Sequence, residues 1–172
     1  MTEDLNWWTA FESGTLLDRL QLESILPHRG DMSFLNRVSL GGSEILGEVI
    51  LSETAFWVPG HFPVPEKNDG PFKIGPLFPG VLMVESCAQL GIVFWRHRLG
   101  LEATQARTML FKQIEKVSFN CEARPGDRII IRGILDKASL RLMRCHFEGV
   151  VFKPHEIQPL PCFECHIAGL SV

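Results

Sequence analysis

Glu85 is the one acid in the apolar part of a stretch that runs from Pro79 to Trp95. A carboxyl set among Val81, Leu82, Met83, Val84, Cys87, Ala88 and Leu90 is costly if ionised and unpaired, so it should hold its proton more tightly than a surface acid. A protonated carboxyl can donate to a leaving oxygen, as a general acid must. His61 stands in Gly60-His61-Phe62-Pro63, a stiff loop rich in aromatics. Apolar surroundings favour the neutral imidazole, which can accept a proton near neutral pH. Gly80 and Val81 fall in the first turn of the helix that Pro79 would start, where N–H groups have no intrahelical partner. Such donors, with the helix dipole behind them, can hold a developing negative oxygen. An acid, a base and an oxyanion donor suit one reaction class: proton removal α to a carbonyl, coupled to loss of a β-hydroxyl. Each residue also has a plain structural reading. Glu85 could face solvent or bond the backbone, and a loop histidine is more often structural than catalytic.

The elements that would position these groups follow from the sequence pattern. Apolar residues cover nearly every face of the segment from Pro79 to about Leu99, so this helix belongs inside the protein. Gly100 suits its C-terminal stop, and Arg96, His97 and Arg98 complement the dipole in its last turn. Residues 44–52 read as a strand after the turn Gly41-Gly42. Pro59 and Pro63 bar regular structure around His61, and residues 64–78 carry loop chemistry. From about residue 108 the period becomes that of strands: 108–119, 128–137, 140–153 and 161–170 are rich in β-branched and aromatic residues. In the third run Met143, Cys145, Phe147 and Val151 share one face, and Arg144, His146 and Glu148 the other. Residues 4–26 suggest one or two short helices ending at Pro27, with Trp7, Trp8 and Phe11 packed onto the domain or a partner. The pieces describe an α+β fold, one buried helix within a curled antiparallel sheet.

The chain has 172 residues, which fits a single domain over 1–172, and a formal net charge of −3. No broad basic field exists for nucleic acid. The first residues are acidic and lack a basic segment followed by an apolar one, so no secretory signal is expected. The apolar stretch from Pro79 to Trp95 is too short for a membrane span, and Glu85 and Gln89 interrupt it. The five cysteines are odd in number and unevenly spaced, which suits reduced thiols in a cytoplasmic protein. Cys162-Phe163-Glu164-Cys165-His166 matches the haem attachment pattern C-x-x-C-H, but strand alternation would put Cys162 and His166 on one face and Cys165 on the other. Haem is therefore not expected, nor is zinc, for want of a second ligand pair.

Gly60-His61-Phe62-Pro63 followed by Pro79-Gly80-Val81-Leu82-Met83-Val84-Glu85-Ser86-Cys87-Ala88-Gln89 resembles the signature of bacterial 3-hydroxyacyl-(acyl carrier protein) dehydratases. Leu26-Pro27-His28-Arg29 and Asn36-Arg37-Val38 resemble that family's N-terminal segment. Ile114-Glu115-Lys116-Val117-Ser118-Phe119 and Arg124-Pro125-Gly126-Asp127 resemble its strand and turn after the helix. The resemblance implies a hot-dog fold, a sheet wrapped around the long helix. It implies a homodimer as minimal unit, with the site at the subunit boundary, where His61 of one chain meets Glu85 of the other. His61 would take the C2 proton of a 3-hydroxyacyl thioester, Glu85 would help the hydroxyl leave, and the Gly80 N–H would hold the thioester carbonyl. No metal or redox cofactor is implied; the acyl group would ride on the phosphopantetheine arm of acyl carrier protein. Glu rather than Asp at position 85 resembles the simple dehydratases and disfavours an added isomerase activity.

This chain departs from that family's pattern in one place. Val64 stands where a Gly usually follows His-Phe-Pro, and residues 64–78 make a longer loop, either a lid beside the site or a change that alters activity. The chain has no Tyr, so tunnel-lining aromatics must be Phe or Trp: Trp57, Phe62, Phe78 and Phe94 are the candidates. A carrier protein would be acidic, and Arg96, Arg98, Lys112, Lys116 and Arg124 are candidates for a basic dock. Two other functions use the same fold, a thioesterase in which Glu85 activates water and a non-catalytic acyl-binding module. Hydrolysis has less need of a base at C2, so the His61 loop argues against the first.

Overall fold

The computed structural model describes residues 6–63 and 74–172. Seven strands form one antiparallel sheet in the order β1-β2-β3-β5-β6-β7-β4. These are β1 (Thr15–Leu17), β2 (Arg37–Gly41), β3 (Glu44–Ile50), β4 (Met109–Phe119), β5 (Arg128–Ala138), β6 (Leu142–Phe152) and β7 (Leu160–Ser171). The long helix α2, Gly80–Leu99, lies in the concave face, and Met83–Val84 and Ser86–Trp95 are buried. Its neighbours are Ile45 and Val49 of β3, Ile129 and Ile131 of β5, and Met143, Cys145 and Phe147 of β6, all in one apolar cluster. Burying a side chain of that size stabilises by about 1.5–3 kcal/mol. Trp95 is wholly buried, and its indole N–H donates to the Ser139 carbonyl oxygen at 2.7 Å, so no polar atom is stranded. This is the α+β hot-dog architecture that the periodicity and the resemblance describe.

α2 stops where expected. Gly100 takes φ +89°, a left-handed conformation that favours glycine, and a four-residue helix α3 (Leu101–Thr104) follows. Alternation in β6 is as read: Met143, Cys145, Phe147 and Val151 are buried, while Arg144 is exposed and His146 and Glu148 are half-buried.

Two local readings need correction. The N-terminal region holds a 3-10 turn (Trp7–Ser13), the strand β1 and the helix α1 (Arg19–Ile25) rather than helices alone. Thr15–Leu17 are drawn into the sheet by pairing with Val38–Leu40. Asp18 then opens α1 through a reciprocal cap: its carboxylate accepts from the Gln21 N–H, and the Gln21 side chain accepts from the Asp18 N–H. The aromatic residues of the turn pack on the outer face of the sheet, with Phe11 against Leu46, Ile130 and Val150. Strict alternation fails in β7. Gly149 pairs with Phe163 but Val150 with Pro161, so Cys162 is the extra residue of a bulge. Cys162 and Cys165 therefore both lie in the core, with His166 outside it.

Candidate active site

His61 is held from both sides. Its N–H donates to the Trp57 carbonyl oxygen at 2.9 Å, and its own carbonyl accepts from the Leu77 N–H at 3.3 Å. The ring Nδ1 lies 2.7 Å from the Leu77 carbonyl oxygen. A carbonyl can only accept, so Nδ1 carries a hydrogen, and in the neutral ring it is Nε2 that holds the lone pair. That is the tautomer a general base requires. Phe62, the next residue, has φ +59°. A non-glycine residue in this region is strained by about 1–3 kcal/mol, and such strain gathers at functional sites. The Phe62 ring stands edge-on to His61, 4.8 Å between centroids.

Glu85 is not the isolated carboxyl that its apolar helix suggests. The Gln89 amide N–H donates to its Oε1 at 2.9 Å. Gln89 is completely buried, and its orientation is fixed by the main chain. Its Oε1 accepts from the Phe34 N–H at 3.1 Å and its NH2 donates to the Met32 carbonyl oxygen at 2.8 Å. The NH2 must therefore face Glu85. His28 completes the pair: its Nε2 lies 3.3 Å from Glu85 Oε1. One carboxyl oxygen is thus held by Gln89 with His28 beside it, and among the described residues no hydrogen bond engages the other, which can meet a ligand.

The loop carrying His28 is itself pinned. The Arg29 guanidinium donates to the carbonyl oxygens of Glu23, Leu26 and His28, each at 2.6 Å, which also satisfies the end of α1. Gln89 stands one helical turn from Glu85, a spacing at which side chains meet, so its role could be read from the sequence. His28 is far off in the chain, and only its place in the Leu26–Arg29 motif marked it.

His28 and Glu85 lie at the mouth of a cavity of about 250 Å³ between α2 and the sheet. Its walls are apolar: Ala88 and Ile92 of α2, Met109 of β4, Met143 of β6 and Ile167 of β7. The first residues of β4 and the one before it, Thr108–Phe111, form its outer rim. His61 is not among the residues lining this cavity.

At the head of α2 no side chain caps Gly80 or Val81, so their N–H groups stay available; Val81 is 75% exposed. A Cβ on Gly80 would come 2.7 Å from Phe119 Cζ. A larger residue here would have to push the half-exposed Phe119 ring aside, a contact that spacing could not show. The four aromatic tunnel candidates do not wall the Glu85 cavity. Phe94 is deep in the core, Trp57 packs on Phe78 with 5.4 Å between centroids, and Phe62 is exposed beside His61. Of the proposed long loop, residues 64–73 lie outside the described residues, and residues 74–78 follow them into the site: Leu77 holds His61, and the Ile74 carbonyl accepts from Arg124. The basic candidates are mostly engaged. Arg96 and Arg98 donate to backbone carbonyls, and Lys116 pairs with Glu164.

No helix among the described residues is long and apolar enough to cross a membrane. All five cysteines are free. Burial pushes the thiols of Cys145 and Cys162 up, the latter to about 12, so they are poor attachment points for haem or metal.

A protein of Latilactobacillus sakei described as 3-hydroxyacyl-(acyl-carrier-protein) dehydratase FabZ is 31% identical over 135 residues, 74% of this chain and 83% of that one. A protein of Oenococcus oeni with the same description is 30% identical over 128 residues, 73% of this chain and 83% of that one. Among solved structures, the dehydratase domain from the CurJ module of curacin polyketide synthase superposes with TM-score 0.65 at 16% identity. All of this chain and 53% of that one are covered, and at this identity the likeness speaks for the fold. The FabA-like domain family matches residues 26–156, and this chain belongs to it.

Proposed function

We propose that this protein is a hydro-lyase that dehydrates a 3-hydroxyacyl thioester, carried on acyl carrier protein, to the trans-2-enoyl thioester. The observation that carries the reading is the Nδ1–H bond of His61 to Leu77, which leaves Nε2 free to take a proton. His61 Nε2 removes the C2 proton. Glu85, through the carboxyl oxygen not engaged by Gln89 and His28, donates a proton to the 3-hydroxyl, which leaves as water. The N–H groups of Gly80 and Val81 hold the thioester oxygen as negative charge develops on it. The apolar cavity behind Glu85 takes the acyl chain, and the phosphopantetheine arm brings the substrate in. The chain's own groups supply all of this proton transfer, and the reading calls for no metal or redox cofactor.

The active unit is a dimer in this reading. Among the described residues β4 pairs only with β7, so it is an edge strand, and Leu110, Phe111, Ile114 and Phe119 on it are exposed apolar residues. A long apolar edge invites a partner. The head of α2 rests on Phe119 at the end of β4, whereas the Glu85 cavity opens beside Thr108–Phe111 at its start. Antiparallel pairing of two β4 edges sets the end of one against the start of the other. His61 of one protomer then comes to Glu85 of its partner. Free thiols at every cysteine suit a cytoplasmic location.

The test is turnover of a 3-hydroxyacyl thioester, followed by enoyl absorbance and by release of free thiol. Enoyl without thiol is expected. Thiol release indicates a thioesterase, and neither signal indicates an acyl-binding module. H61A and E85Q should each lose most turnover while remaining folded; near wild-type rates in either would overturn the roles.

A further inference from the structure

The outer face of the sheet carries a second cluster of chemistry, built partly from the C-x-x-C-H run whose cysteines are buried. Glu164 and His166 are two residues apart on β7 and so share a face, and His146 of β6 stands directly opposite His166. The two imidazoles are stacked, 4.3 Å between centroids and 12° between planes. Glu164 Oε1 lies 3.3 Å from His166 Nε2 and 3.6 Å from His146 Nε2. His146 Nε2 is shielded from solvent and has no hydrogen-bond partner among the described residues. A polar atom left so is costly unless something coordinates it.

We propose that His146, His166 and Glu164 bind a divalent transition-metal cation of the zinc class. Two imidazole nitrogens and a carboxylate oxygen are the donor set such an ion prefers, with ligand distances of about 2.0–2.2 Å. The three ligand atoms already lie within 4.8 Å of one another, so small side-chain rotations would close them on one ion. The side chains are about one-third exposed, which lets an ion enter. Lys116 lies 3.1 Å from Glu164 Oε1 and is the resident cation that the metal must displace; its long, exposed side chain can swing away. Binding forms three coordination bonds, breaks the Lys116 ion pair and changes no oxidation state. The site lies on the face of β6 and β7 away from α2, and its ion would pin those strands rather than take part in dehydration. Three protein ligands leave at least one position open to water.

Zinc chloride titrated calorimetrically into the full chain, freed of metal with a chelator, tests this. Saturable binding of one ion per chain is expected, weakened more than roughly tenfold in both H146Q and H166Q. Binding should be unchanged in C121S, which removes the most accessible thiol. K116M removes the competing charge and should tighten binding by roughly tenfold. Copper(II) bound to the wild type should show a two-nitrogen paramagnetic resonance pattern that H146Q and H166Q each reduce. H146Q, H166Q and C121S should keep wild-type dehydration, which separates a failure here from a failure of the proposed activity. Absence of saturable zinc binding, equal affinity in the histidine variants, or loss of binding in C121S would overturn the site.

Discussion

Replacing Gln89 with Met should damage stability and catalysis by separate, calculable amounts. The residue is wholly buried and makes three hydrogen bonds, from the Phe34 N–H, to the Met32 carbonyl oxygen and to Glu85 Oε1. Met keeps the volume and removes every one of them. The Phe34 N–H and the Met32 carbonyl are left unsatisfied, at about 1–3 kcal/mol each. Burial of the thioether offsets part of this, so Q89M should unfold about 2–4 kcal/mol more easily. Glu85 loses the donor that orients it, a hydrogen bond worth about 0.5–1.5 kcal/mol, or roughly two- to tenfold in kcat. KM should change little, because Gln89 does not line the substrate cavity. Urea unfolding gives the first quantity and initial rates of enoyl formation the second. A variant with wild-type midpoint and kcat within twofold would refute the reasoning that Gln89 fixes the carboxyl.

Other outcomes follow from the same geometry. H28N should lower kcat by about tenfold, since His28 stands 3.3 Å from Glu85 Oε1 at the mouth of the cavity; an unchanged kcat would remove His28 from the site. Burial pushes the Glu48 carboxyl up, but Arg37 and then Arg128 outweigh it and hold the group below the usual range. Its contribution is therefore complete above the unfolded-state value and fades as pH falls through the folded one. E48Q should cost about 1–3 kcal/mol at neutral pH, the arginines being partly exposed, and the gap from wild type should close in acid, as melts across pH would reveal. G80A should push the Phe119 ring aside at a cost of about 1 kcal/mol, and the double variant G80A/F119L should recover most of it in urea unfolding. I114K should halve the mass seen by light scattering if the exposed β4 edge joins two chains.

The sequence was legible where periodicity is long. α2 has twenty residues, and β4 to β7 have eleven or twelve each, so their patterns stand clear of noise. β1 and β2, at three and five residues, are too short to carry a period and are defined by pairing partners instead. The bulge at Cys162 breaks alternation through a hydrogen-bond shift that no residue type announces. Glu85 and His61 could be picked out as misfits in their surroundings. Their partners could not, because these are a Leu77 carbonyl sixteen residues away and His28, brought close only by folding. The reason for Gly80 was likewise hidden, since Phe119 meets it only in the folded chain.

The central claim is that each catalytic site takes its base from one protomer and its acid from the other. Mixing refolded H61A and E85Q chains, each inactive alone, tests it directly. The account predicts that mixed dimers regain one intact site in two, giving roughly a quarter of wild-type activity at equal proportions. Mixtures that stay as inactive as either variant, although mixed dimers have formed, would contradict it.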